Sequence, residues 1–152
     1  MIFIEKIENL SPDLSEQLLE RAAAEALRHQ SAPEDADLTI VLTDDAQLHK
    51  LNREYLGVDA PTDVLSFPSD QTDPETGSRY LGDLLLSVER AAAQAAGVGH
   101  AVEAEAQLLV VHGVLHLLGH DHAEAEEKAR MWKAQAEILS ILGLSNIEIR
   151  ET

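Results

Sequence analysis

The sequence predicts an α+β domain, with about four strands in a mixed sheet packed against a buried metal-binding helix and several other helices. Three observations lead there. The segment from Val102 to Leu118 is almost wholly apolar after Gln107, so it reads as a helix buried at the centre of the domain. Short stretches rich in apolar and β-branched residues read as strands near residues 2–7, 38–42, 64–67 and 80–87. The resulting order, β α β α β β α α α, is that of an α+β fold, in which the sheet packs on the central helix.

Each element has a local justification. Residues 2–7 set Ile2 and Ile4 against Phe3 and Glu5, a strand alternation. Ser11-Pro12-Asp13 is a helix start, with an oxygen cap, a first-turn proline and an acid at the positive end of the dipole. Leu14, Leu18, Ala22 and Leu27 then give one apolar face through about His29, and residues 31–35 form a loop. After the buried strand at 38–42, Thr43 or Asp44 caps a helix to about Tyr55, ended by Gly57. Asp59 to Asp63 is a turn before Val64–Phe67, and Pro68 suits an edge strand because it cannot donate to a ladder. Polar residues 69–78, with Pro74 and Gly77, form a loop of partly hairpin character before the strand Tyr80–Ser87. Ser87 caps an alanine-rich helix expected to end at Gly97. The last helix runs from about Ala123 to Leu142, with Met131, Trp132, Ile138 and Leu142 as its core face and Glu124, Glu126 and Glu127 solvated. Residues 146–150 are weakly strand-like.

At 152 residues the chain reads as one domain, 1–152, with no internal repeat. No window of about 18 apolar residues exists, so no membrane span is expected. The start, Met1 to Ile7, lacks the features of a secretory leader, and cysteine is absent, so a cytoplasmic location is expected. With 28 acidic and 11 basic residues the net charge is −17, which opposes nonspecific nucleic-acid binding but not an enzyme with a locally positive metal site.

The chemistry concentrates in Val111 to His122. His112 and His116 are four residues apart, which on a helix stacks two imidazoles on one face, about 5–6 Å apart at Cβ. Gly119 can take positive φ and stop the helix, and His122 follows three residues later. Three imidazoles leave a fourth position open, the pattern of a catalytic zinc. The spacing is that of the long zinc-peptidase motif, in which Glu directly follows the first His as general base. Here Gly113 occupies that position, and glycine cannot move a proton. The cradle is present and the peptidase base is missing.

Two blocks carry a resemblance. One is His112-Gly113-x-Leu115-His116-Leu117-x-Gly119-x-Asp121-His122; the other is Asp59-x-Pro61-Thr62-Asp63-Val64-Leu65-Ser66-Phe67-Pro68, followed by Leu81-Gly82-Asp83. Together they resemble the YbeY family of metal-dependent endoribonucleases. The resemblance implies one zinc per chain held by His112, His116 and His122. It implies single-stranded RNA as substrate, and a role in maturing the 3′ end of small-subunit (16S) ribosomal RNA and in ribosome quality control, with the small ribosomal subunit as partner. Two positions depart from the family pattern. Leu56 stands where the family has an arginine thought to help catalysis, and His120 where an aromatic residue, often Tyr, is usual; His120 is expected to point away from the metal.

Phosphoryl transfer needs a cation beyond the metal for the charge that builds on the phosphoryl oxygens. Arg53, on the helix leading to Leu56, is the candidate to replace the absent arginine, and Lys50 is a candidate RNA contact. Asp121 is a candidate acceptor for a histidine N–H. Ser66 and Asp83 are candidate substrate contacts. No dinucleotide cofactor is expected. The competing functions are a zinc peptidase-like hydrolase, opposed by Gly113, and a ribosome-assembly factor with a structural metal, favoured by the acidic charge and the missing arginine.

Overall fold

The structure, a computed structural model, describes residues 1–147. Strand β1 (Ile2–Lys6) lies parallel to β2 (Asp37–Thr43), and β2 lies parallel to β4 (Tyr80–Ser87). Strand β3 (Val64–Pro68) runs antiparallel to β4, giving the order β1-β2-β4-β3 and a mixed, four-stranded sheet. Parallel neighbours need long crossovers, and helices supply them: α1 (Glu16–His29) joins β1 to β2, while α2 (Asp45–Leu56) lies within the β2-to-β4 crossover. The antiparallel β3–β4 pair is joined by the polar loop, which an isolated Thr72–Arg79 bridge draws into a hairpin. Pro68 therefore sits on an edge strand, where its missing N–H disturbs least.

The helix α4 (Val102–Leu117) runs beneath the sheet and packs against α1, α3 (Val88–Val98), α5 (Ala125–Ile141), β3 and β4. Nearly all of it is buried; Val110, Val111, Val114 and Leu115 have no exposed surface. Leu38, Ile40 and Leu42 of β2 and Leu84 and Leu86 of β4 point into the same core, whereas Thr39, Val41, Asp83 and Leu85 between them are half-buried on the other face. This is the alternation of a sheet with one covered face. At Gly82 (φ +137°) a Cβ would stand 2.2 Å from the Phe67 carbonyl oxygen and 3.0 Å from Leu117 Cδ2, so only glycine lets β3 and the end of α4 close on β4 here.

Several boundaries differ from expectation. The first helix starts at Glu16, not at Ser11-Pro12-Asp13, because Ser15 is the cap and its Oγ accepts the Leu18 N–H at 3.3 Å. Its buried face is Leu19, Ala22, Ala23 and Ala26, not a stripe through Leu18 and Leu27. Small alanines let it lie close on α4, and Leu14 enters the core from before the helix. Helix α3 continues through Gly97 and stops at Gly99 (φ +80°), whose N–H donates to the Ala95 carbonyl at 2.9 Å. The last helix begins at Ala125, two residues later than expected. Asn146 and Ile147 lie in a turn and a bend; the rest of the expected strand at 146–150 lies outside the described residues.

Candidate metal centre

The last turns of α4 carry His112 and His116 on one side, and their Nε2 atoms stand 3.1 Å apart. The chain then reverses at Gly119 (φ +99°), with the His120 N–H donating to the Leu115 carbonyl at 2.9 Å. The reversal returns His122 to the pair. Its ring centroid lies 5.6 Å from that of His112 and 5.4 Å from that of His116. One nitrogen from each of the three rings falls within 4.8 Å of the others. The Asp121 carboxylate accepts the backbone N–H of His122 at 2.7 Å, so it shapes the turn and holds no histidine ring nitrogen in that bond. His120 turns away and donates from Nε2 to Gln30 Oε1 at 2.7 Å.

This donor set fits a metal ion. Bonds of 2.0–2.1 Å in a tetrahedral site put ligand nitrogens about 3.3 Å apart. The His112–His116 pair is near that spacing, and a His122 nitrogen lies within 4.8 Å of both. Metals bind imidazole in its neutral form, and the site favours that form at His112 and His116. Burial pushes His112 down to about 4, helped by the neighbouring His116 and His122. His116 is also lowered, mainly by burial. Gln135 of α5 fixes the ring: its Oε1 can only accept, so His112 Nδ1–H donates to it at 3.1 Å and the Nε2 lone pair faces His116. Gln135 is fully buried and its own amide nitrogen has no partner, a cost of about 1–3 kcal/mol tolerated at this position. Trp132, expected only in the core face of α5, is half-buried and presents its ring 5.6 Å from His122 and 6.2 Å from His112. Lys128 lies over that ring, 5.3 Å from its centroid.

The histidines open into a cavity of about 570 Å³ whose other walls are β3 and the end of α2. Ser66 lines it, and its Oγ donates to the Gly113 carbonyl at 3.2 Å. Gly113 itself faces the sheet. A Cβ there would stand 2.7 Å from Leu84 Cδ2, so the position after His112 points into the packed layer between α4 and β4. The missing peptidase glutamate thus has a packing reason.

The structure does not bring every expected residue to this cavity. Helix α2 presents Asn52, Tyr55 and Leu56 to it, a stripe at helical spacing. Arg53 and Lys50 are exposed on α2 and are not among the lining residues. Asp83 is not among the residues that line the cavity; its carboxylate accepts the Tyr80 hydroxyl. Residues that sequence reasoning passed over include Gln135, whose partner is 23 positions away, and Asn52. Asn52 is buried and its Nδ2 donates to the Ala60 carbonyl at 2.9 Å, tying the end of α2 to the turn before β3.

Residues 3–143 match the family profile described as Endoribonuclease YbeY. The chain belongs to the YbeY family. Among curated YbeY proteins, that of Chloroflexus aurantiacus is 49% identical over 134 residues, covering 84% of this chain and 87% of the relative. The protein from Pelotomaculum thermopropionicum is 47% identical over 131 residues, covering 84% and 86%, and that from Agathobacter rectalis is 37% identical over 147 residues, covering 86% and 89%. A Thermotoga maritima protein of known solution structure superposes with a TM-score of 0.58 at 22% identity, over 100% of this chain and 99% of its own, a likeness of fold. As a YbeY-family member the chain is of an endoribonuclease family, and its three-histidine group can hold a metal. Among the described residues, no helix is long and apolar enough to cross a membrane.

Proposed function

We propose that this chain, as a single metallohydrolase domain, is a zinc-dependent endoribonuclease that cuts single-stranded RNA. Its place is in the cytoplasm, in maturation of the 3′ end of small-subunit ribosomal RNA and in ribosome quality control. The observation that carries the reading is the trio of His112, His116 and His122, three imidazole nitrogen donors grouped at an open cavity in a YbeY-family chain with Gly113 where a peptidase base would stand. Cleavage needs a nucleophilic oxygen to bond to phosphorus while the bond to the leaving ribose oxygen breaks and that oxygen takes a proton. A divalent metal held by three imidazoles supplies Lewis acidity, polarising a phosphoryl oxygen and lowering the pKa of water toward about 7. Zinc suits three imidazoles, and nickel or copper would bind the same set.

The chain's own groups do the rest. Gln135 orients His112, Asp121 fixes the backbone at His122, and Ser66 and the β3 edge form the wall along which a backbone would lie. Arg53 and Lys50, exposed on α2 beside the cavity-lining stripe, are the cations we assign to phosphate, Arg53 nearer the reaction and Lys50 to a flanking position. The test is to incubate metal-loaded protein with labelled single-stranded RNA, the matched duplex and casein, with and without chelator. Chelator-sensitive cutting of the single strand alone is expected. Cutting of casein would favour a peptidase-like hydrolase. Tight RNA binding with no cutting by metal-loaded protein would favour an assembly factor.

A further inference from the structure

We infer that Tyr55, packed against Phe67 at the cavity wall, is a stacking platform for one unpaired nucleobase of the substrate, and that this platform sets the preference for single strands. The inference rests on the RNA-cleavage reading and goes beyond it by naming the contact that recognises the strand. The sequence has two tyrosines, two phenylalanines and one tryptophan. Tyr55 and Phe67 both line the cavity that the metal histidines line, and Trp132 stands behind those histidines. So few aromatic rings gathered at one site point to a use there.

Tyr55 is 66% exposed, although folding usually hides such a ring. It is not loose. Its ring meets Phe67 nearly at right angles, 76° between planes with centroids 5.6 Å apart. The helix end that carries it is fixed by Asn52, whose Nδ2 donates to the Ala60 carbonyl at 2.9 Å and whose carbonyl accepts the Val58 N–H at 3.2 Å. Leu56, 61% exposed, extends the apolar surface beside it. A rigid aromatic ring at the mouth of a site loses little entropy when it captures a flat ligand.

Charge favours a nucleobase as the occupant. Among the described residues no Lys or Arg lines the cavity, and the net charge of −17 repels phosphates at long range. Arg53 and Lys50 stand outside the lining, so within the cavity wall itself the contact with the strand is uncharged. Stacking supplies such a contact for any base, but only where the face of the base is free, as in a single strand. Alanine substitution of such aromatic rings weakens affinity by about 5- to 150-fold.

The experiment compares wild type, Tyr55→Ala, Tyr55→Phe and Tyr55→Trp. Metal-loaded proteins are assayed for kcat and KM on a labelled single-stranded oligonucleotide. Metal-free proteins are titrated with the same oligonucleotide carrying 2-aminopurine at successive positions, and with a duplex. Tyr55→Ala is expected to raise KM and the single-strand Kd by about 5- to 150-fold. The loss should fall on KM more than on kcat, and duplex affinity and melting temperature should not move. Phe and Trp should restore binding, and 2-aminopurine at one position should be quenched by wild type and not by Tyr55→Ala. An unchanged Kd in Tyr55→Ala would overturn the platform while leaving RNA cleavage by wild type in place. Equal losses for single strand and duplex, or failure of Tyr55→Phe, would overturn it too, the second by making the hydroxyl the contact. A wild-type protein that binds single-stranded RNA without cutting it would remove the cleavage reading alone. One that does neither would remove both, and would leave the Tyr55–Leu56 surface to a protein partner.

Discussion

Gly113→Ala perturbs the packing that places His112. The added Cβ would sit 2.7 Å from Leu84 Cδ2, 3.2 Å from Cδ1 and 3.4 Å from Cγ. Carbon contacts are comfortable at about 3.5–4.0 Å, so the nearest overlap is on the order of 1 Å. Leu84 is 1% exposed and cannot swing into solvent. Overpacking of this kind costs about 1–3 kcal/mol. Against it stands the better helix propensity of alanine, about 1 kcal/mol. Gly97 separates the two effects. It lies inside α3, is exposed, and has nothing within 4 Å of a built Cβ, so Gly97→Ala should gain the propensity without the clash. Gly113→Ala should therefore be less stable than Gly97→Ala by about 1–3 kcal/mol. For a chain of this size that is a difference in Tm of about 2–12 °C. Thermal melts of the two metal-free variants beside wild type make the measurement. If Gly113→Ala melts as high as Gly97→Ala, α4 does not press on β4 at this point, and the packing account of the missing glutamate is wrong.

Three further outcomes follow from the site. Gln135→Leu removes the acceptor that orients His112 and should weaken metal affinity about 10- to 100-fold at little loss of stability, read by competition with a metal indicator; unchanged affinity would make Gln135 a packing residue only. His112 is depressed from 6.5 to about 4, and metal binding depresses it further, so the stability that metal confers should be present above pH 6.5 and fall away as the pH drops through about 4. Melts with and without chelator should then differ at neutral pH and converge in acid, and a constant difference would contradict the linkage. Arg53→Ala should reduce RNA cleavage by about 10²–10³ with metal content and Tm nearly unchanged, and adding Leu56→Arg should recover part of it; wild-type turnover in Arg53→Ala would make Arg53 an ordinary solvated residue.

The histidine trio was legible in the sequence because its geometry is local. A spacing of four on a helix and a glycine stop determine where His112, His116 and His122 can meet, and the neighbouring Asp121 completes the turn. The strands and the buried helix were legible because Leu38–Leu42 and the part of α4 after Gln107 are near-continuous apolar runs, the mark of buried elements. Long-range contacts were not. Gln135 reaches His112 only because α5 packs on α4, and nothing in its neighbours distinguishes it from any other helical glutamine. The rotation of α2 about its axis, which turns Asn52, Tyr55 and Leu56 to the cavity and leaves Arg53 exposed, is decided by the turn that Asn52 clamps. Asp83 stands outside the cavity lining, bonded to Tyr80 three residues earlier on the same strand, a pairing that no spacing in the sequence singles out. The first helix starts after Ser15 and not after Ser11, two serines that offer the same capping oxygen and that the local sequence does not tell apart.

The central claim is that these three histidines hold the metal that makes the chain a ribonuclease. Its most direct test pairs elemental analysis with cleavage of labelled single-stranded RNA, on wild type, His116→Ala and His120→Ala after exhaustive dialysis and again after chelation and return of zinc. Wild type and His120→Ala should hold one zinc and cut RNA in a chelator-sensitive way, restored when zinc returns, and His116→Ala should show neither metal nor cutting. His116→Ala that keeps its metal and cuts RNA at the wild-type rate would contradict it.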